Sequence, residues 1–171
     1  MIVGQCAPTI SAGRRVSELD YSRKFLVLID ESPVCDRAVS FAAHRVKRTG
    51  GTLVLLSVID SEDFGQFIGV GDVMRAEARQ EAERMLDTRI ARIREIGQVR
   101  TETVIREGRP AEAIEQLVAD DPDIAILVIA AGQGDKGPGP LVTHFAGHNR
   151  LHVLVTIVPG AMTNEEIVAV A

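Results

Sequence analysis

The chain has 171 residues, of which 46% are hydrophobic and 25% charged, and its formal net charge is -5. That balance is ordinary for one globular domain with a single sizeable core, and it leaves no overall basic footprint for nucleic acid or an anionic membrane surface. The longest apolar run, Ile124 to Ala131, falls far short of the roughly 18 to 20 residues that span a bilayer, so neither nucleic acid nor membrane is an expected partner.

Met1 to Ser22 mixes Gly, Pro, Ser and charges without a sustained period, which reads as an extended or partly disordered lead-in. It lacks a basic segment followed by a continuous apolar stretch, so neither a secretory leader nor a lipoprotein leader at Cys6 is expected. Cys6 and Cys35 alone do not make a disulfide framework. A cytoplasmic location is expected.

Lys24 to Asp30, KFLVLID, is a short apolar strand ending in a carboxylate. Ser32 and Pro33 then give a helix start, a hydroxyl at the N-cap and a proline at the first helical position. Val34, Ala38, Phe41, Ala42 and Val46 recur at helical spacing until Gly50-Gly51 stops the helix. Thr52 to Ile59 is a second buried strand, followed by a polar loop, Asp60 to Gly71, with Phe64 and Phe67.

Asp72 to Ile96 is the longest helical segment, with Ala82, Met85, Leu86, Ile90, Ile93 and Ile96 on one stripe and Arg and Glu opposite. Its charged side reads as a solvated surface with intrahelical pairs. Val99 to Glu107 alternates Val or Thr with charge, as a strand near an edge does. Pro110 opens a helix with Ile114, Leu117 and Val118 inward, ended by Asp120-Asp121-Pro122. Ile124 to Ala131 is then a fully buried strand that breaks into a glycine- and proline-rich loop, GQGDKGPGP. Leu141 to Arg150 forms a helix and His152 to Val158 a last strand, while the closing EEIVAVA fits either helix or strand. Strands alternating with helices make an α/β domain with a parallel sheet, and in such sheets ligands sit at the carboxyl ends of the strands.

From Lys24 to Pro159 the chain resembles the universal stress protein family. VLIDESPVCDRAVSFAA is similar to the family's strand, Asp, x, Ser and Ala-rich helix. VIREGRPAEAIEQLVADDPDIAILVIA is similar to its strand, Gly, x, Pro, x, x, Ala-Ile helix, acidic turn and buried strand. The resemblance implies an open five-stranded parallel sheet, order 3-2-1-4-5, with helices on both faces, an adenine-nucleotide alpha hydrolase-like fold. It implies a domain over residues 23–160, an N-terminal extension over 1–22 and a tail over 161–171. Homodimers through the last strand, Val153 to Val158, are implied as well.

Family members that bind ATP carry G-x2-G-x9-G-[ST] after the fourth strand. A tight glycine turn and a helix N-terminus together present backbone N–H groups to an anion. Placing the second glycine at Gly134 puts Ala131 at the first, with Gly132 as its substitute in a remodelled turn. The closing pair then falls on Gly139-Pro140, leaving Asp135 to Pro138 as a spacer of four residues where the motif has nine. Pro140 brings no N–H, Asp135 opposes a triphosphate, and Lys136 can offset it.

The resemblance therefore assigns nucleotide-contacting positions to Asp30, Glu31, Ser32, Val58, Ala131, Gly132, Gly134, Gly137 and Gly139. Val58 meets adenine through its backbone, and ATP or AMP is the implied ligand, with Mg2+ only alongside nucleotide. Asp30 also fits a strand-end residue capping local backbone N–H groups, and glycines serve any tight turn. Glu31 reads as solvated. His144 and His148 lie four apart on one helix, the spacing of a shared metal, yet His152 falls on a strand, His44 is isolated and no ligand set is complete. Cys35 reads either as a packing residue or as a thiol activated by a helix N-terminus.

Three functions follow from these residues. The first is a universal-stress-type homodimeric regulator with an altered or vestigial adenine-nucleotide site. The second is a nucleotide hydrolase or adenylate-handling enzyme of a related fold, against which stands the absence of S-G-G-x-D-S, H-x-G-H and G-x4-G-K-[ST]. The third is a dimeric interaction module without nucleotide.

Overall fold

The structure is a computed structural model, and the residues it describes are 23–60, 71–133, 137–147 and 151–171. Among the described residues five strands alternate with five helices: β1 (Lys24–Ile29), α1 (Cys35–Thr49), β2 (Thr52–Ile59), α2 (Gly71–Ile96), β3 (Thr101–Glu107), α3 (Pro110–Asp120), β4 (Ile124–Ala131), α4 (Pro140–Gly147), β5 (Leu154–Pro159) and α5 (Asn164–Val170). Every strand pairing is parallel, in the order β3-β2-β1-β4-β5. This is the open sheet expected.

Composition sorts the strands. β1, β2 and β4, the near-continuous apolar runs, are central or next to the centre, as strands covered on both faces must be. The alternating β3 lies at one edge, with Glu102, Thr103 and Glu107 exposed. Successive side chains of β1 point to opposite faces. Phe25, Val27 and Ile29 join Leu53 and Leu55 under α1 and α2, while Leu26 and Leu28 join Val54, Leu56 and Leu127 under α3 and α4. Each buried Leu or Ile contributes about 1.5–3 kcal/mol, so two such layers fix which helices lie on which face.

Gly50 and Gly51 end α1. Gly50 has φ 77° and donates its N–H to the Val46 carbonyl at 2.8 Å. A β-carbon on Gly51 would lie 2.3 Å from the Arg23 carbonyl oxygen. Charged side chains on α2 pair within the helix, Arg84 with Glu81 at 2.7 Å and Arg79 with Glu83 at 3.5 Å. Two others cross to α1, where Arg89 lies 2.9 Å from Asp36 and Arg92 donates to the same carboxylate.

The start of α1 differs from the reading of Ser32 as its N-cap. Helical geometry begins at Cys35, Val34 occupies the cap without a side-chain bond, and the Ser32 carbonyl accepts from the Cys35 N–H at 3.1 Å. The Asp30 carboxylate accepts the Ser32 N–H at 2.9 Å, an Asx-type turn that is followed by the turn closed on the Ser32 carbonyl, so the chain turns twice before the helix starts at Cys35. EEIVAVA, open between helix and strand, is the helix α5. A capping box starts it, Thr163 Oγ1 accepting from the Glu166 N–H at 3.2 Å and Glu166 Oε2 from the Thr163 N–H at 2.8 Å.

α5 packs on α1 through the fully buried Ile167. Arg37 donates to Asn164 Oδ1 at 2.6 Å, and Arg48 donates to the carbonyls of Val168 at 2.8 Å and Ala171 at 2.5 Å. No helix of the described residues is long and apolar enough to cross a membrane. The lead-in over 1–22, with Cys6, and the loop with Phe64 and Phe67 lie outside the described residues.

Candidate functional site

β1 and β4 are neighbours, while the chain leaves β1 in one direction toward β3 and returns on the other side at β4. Their carboxyl ends therefore form the switch point where a crevice opens. A cavity of about 180 Å³ lies there, floored by Leu28, Ile129 and Ala130. Its walls come from two helix starts, Val34, Cys35 and Ala38 on the α1 side and Pro140, Leu141 and Val142 on the α4 side.

Asp30 leaves β1 directly into this cavity, with one carboxylate oxygen holding the Ser32 N–H. Cys35, one turn further, is 3% exposed and its thiol approaches the Leu28 carbonyl at 3.6 Å. Burial pushes the Cys35 thiol up from its ordinary value, outweighing the pull of a backbone hydrogen bond and of Arg89. Of the two readings of Cys35, the structure supports the packing residue, because a desolvated thiolate is disfavoured despite the helix N-terminus.

On the β4 side the loop closes on itself. The Gly132 N–H donates to the Pro138 carbonyl at 3.0 Å, and a β-carbon on Gly132 would lie 2.7 Å from the Gly137 carbonyl oxygen. Gly137 and Gly139 have φ of 78° and 98°, the left-handed region that favours glycine. The Gly139 carbonyl then accepts from both the N–H and the hydroxyl of Thr143, at 3.1 and 2.9 Å, which starts α4 at Pro140. With Thr143 as the first residue to close a helical bond, the N–H groups of Leu141 and Val142 are left over at the helix start. Neither has a partner among the described residues.

The loop is also tied to the turn after β5. Gln133 donates its side-chain amide to the Gly160 carbonyl. Gly160 has no room for a side chain, since a β-carbon there would lie 2.4 Å from the Ala131 oxygen and 2.7 Å from Val34.

The cavity thus gathers Asp30, Ser32, Gly132 and Gly139. Glu31 is exposed beside it, Gly137 is exposed on the loop, and Ala131 is half-buried at the end of β4, opposite Pro159. Val58 is half-buried on β2, one residue past the pairing of Ser57 with Ile29, and does not line the cavity. Gly134, Asp135 and Lys136 lie outside the described residues, as does His148. Cys35, Ala38, Leu141 and Val142 complete the wall without having been marked as site residues. Small residues three apart in the first turns of α1 are the one signal that could have found the first two.

The remaining histidines are apart from the cavity. His144 Nε2 lies 3.1 Å from Glu115 and its ring meets Phe145 edge-on. His44 Nδ1 bonds the Ser40 carbonyl at 2.9 Å, and His152 is exposed. No group of three or more His, Cys, Asp or Glu side chains among the described residues could hold a metal.

A parallel sheet in this order, with a glycine-lined cavity at its switch point, defines an adenine-nucleotide alpha hydrolase-like fold. Within that class the chain belongs to the universal stress protein family, whose model matches residues 22–139. Solved structures agree on the fold. Universal stress protein UspA from Lactobacillus plantarum superposes with a TM-score of 0.65 at 20% identity, over 81% of this chain and 99% of its own. A universal stress protein from Archaeoglobus fulgidus in complex with dAMP gives 0.60 at 18%, over 81% and 99%. A universal stress protein in complex with cAMP gives 0.55 at 17%, over 83% and 100%. No curated protein matches the chain.

Proposed function

We propose that this chain is a universal-stress-type regulatory protein that works as a homodimer and carries an altered adenine-nucleotide site. The observation that carries the nucleotide half is the cavity itself: Asp30 and the start of α4 line one space together with Gly132 and Gly139. Two proteins of the same fold are described in complex with cAMP and dAMP, which supports an adenylate as the ligand here. By resemblance, Val58 would meet adenine through its backbone beyond the cavity, and Glu31, Ser32, Ala131, Gly132, Gly134, Gly137 and Gly139 are the further positions assigned to nucleotide contact. Mg2+ enters only with nucleotide, through Asp30. The described lining pairs no base with a nucleophile, which favours binding over turnover.

The dimer half rests on β5. It is an edge strand, and Leu154 and Ile157 on it are 71% and 42% exposed. An apolar edge of this kind needs covering, and pairing with β5 of a second copy is an isologous way to do it.

Isothermal titration of the full chain with AMP and ATP tests the first half. Saturable heat that disappears in Asp30→Ala supports it, and no heat at about millimolar nucleotide rejects it. Sedimentation at about ten to fifty micromolar tests the second, with a dimer expected for the native chain and a monomer for Leu154→Lys combined with Ile157→Lys. Mass analysis of ATP incubated with the protein checks for turnover, and Asp30-dependent product would replace this reading by the hydrolase.

A further inference from the structure

Resting on the nucleotide reading above, we infer that α5 is a strap whose docking on α1 is coupled to the cavity, so that a bound adenylate tightens α5 and release of α5 weakens the adenylate. The coupling runs through Gly160. The turn that leads from β5 to α5, closed by the Met162 N–H on the Pro159 carbonyl at 3.1 Å, rests on both cavity walls. On the α1 side, a β-carbon on Gly160 would lie 2.7 Å from Val34, a lining residue. On the β4 side, the amide of Gln133, next in the chain to the lining residue Gly132, donates to the Gly160 carbonyl. A wall that moves therefore moves the turn, because close-packed neighbours leave no slack to absorb the shift.

The element beyond the turn is able to respond. α5 has seven residues, too few for a stable helix in isolation, so it depends on its contacts with α1. Those are the buried Ile167, the Arg37 bond to Asn164 at 2.6 Å, and the Arg48 bonds to the carbonyls of Val168 and Ala171. A short element held in this way opens without the sheet unfolding. Docked, α5 keeps Gly160 against Val34 and Gln133 and so fixes the spacing of the two walls; undocked, it lets the turn release them. A ligand that fits the fixed walls favours the docked state by as much as its affinities for the two states differ. Linkage then requires that docking of α5 raise ligand affinity by the same factor. α5 lies outside the residues that the family model matches, so the strap is an addition to the matched region.

Hydrogen exchange of the full chain with and without saturating AMP reads the docking of α5. AMP is expected to slow exchange at residues 167–171 at least about fivefold, with less than about twofold change at residues 75–80 of α2, whose opening is local and separate. Arg48→Ala cuts two ties at the end of α1 remote from the cavity. It should speed α5 exchange and weaken AMP binding measured by calorimetry. Gln133→Ala should speed α5 exchange with no ligand present. Both variants replace exposed residues, so the fold stands. AMP that binds yet leaves α5 exchange unchanged, or Arg48→Ala that frees α5 at unaltered AMP affinity, overturns the coupling and leaves the nucleotide reading intact. If AMP does not bind, the nucleotide reading falls, and the ligand-free comparison of Gln133→Ala with the native chain decides the link, unchanged α5 exchange overturning it.

Discussion

Gly160, in the turn after β5, sits so close to Ala131 at the end of β4 that a β-carbon on it would lie 2.4 Å from the Ala131 carbonyl oxygen. The obstruction is backbone, which cannot rotate aside as a side chain does. Gly160→Ala is therefore expected to cost about 1–3 kcal/mol as an overpacking substitution. Because Val34 and Gln133 are displaced with it, ligand affinity should fall as well. Urea unfolding measures the first effect and calorimetric titration the second. An unchanged midpoint would show that the turn can move away.

A buried thiol reacts only when the structure opens. With Cys6→Ser removing the other cysteine, Cys35 should react with a disulfide reagent at pH 8 slower by about two orders of magnitude or more in the native chain than in urea. Its raised pKa also sets a sign. The contribution to stability is fully present below the unfolded thiol value of 9.0 and is lost as pH rises through the higher folded value. Cys35→Ala should remove that step from the alkaline limb of a stability profile.

Lys24 bonds Glu102 at 2.7 Å and Asp121 at 2.9 Å, joining β1 to β3 and to the end of α3. Partial burial pulls its ammonium down, but the two hydrogen bonds and charges outweigh it and the pKa rises above 10.5. Lys24→Met should cost about 1 kcal/mol near neutral pH. The difference from the native chain persists below pH 10.5 and closes as the pH rises through the folded pKa. Urea midpoints at pH 7 and pH 11 measure it, and a gap that stays constant would contradict the pairing.

Thr163→Ala removes the hydroxyl of the α5 capping box, with an expected loss of about 1 kcal/mol. Since α5 is held to α1 by Ile167 and by Arg37 and Arg48, limited proteolysis should show faster cleavage near residue 163 before global unfolding. Unchanged cleavage would mean that packing, not the cap, sets the local stability.

The central strands were legible because nothing competes with them. TLVLLSVI and the run from Ile124 to Ala131 are strands over their full length. Ser32 misled because the Asp30 carboxylate two residues earlier turns the chain at Ser32, and the helix starts only after that turn, at Cys35. EEIVAVA was ambiguous by periodicity, but T-x-x-E at Thr163 to Glu166 was there to be read as a helix start. In the site, Asp30 and the glycines followed from the strand-end rule and the family resemblance. Cys35, Ala38 and Gly160 did not, because their roles come from contacts with residues distant in sequence.

The sheet order carries a kinetic consequence. β1 to β3 can assemble through successive local crossovers, whereas β1 meets β4 in a register that pairs Lys24 with Ile124, about a hundred residues away. Closing that loop has the larger entropic cost and comes before its contacts are made. Until it happens, the open edge of β1 is a continuous apolar strand, KFLVLI, available to any other chain. Refolding yield should therefore depend on protein concentration most steeply in variants that weaken the β1–β4 seam.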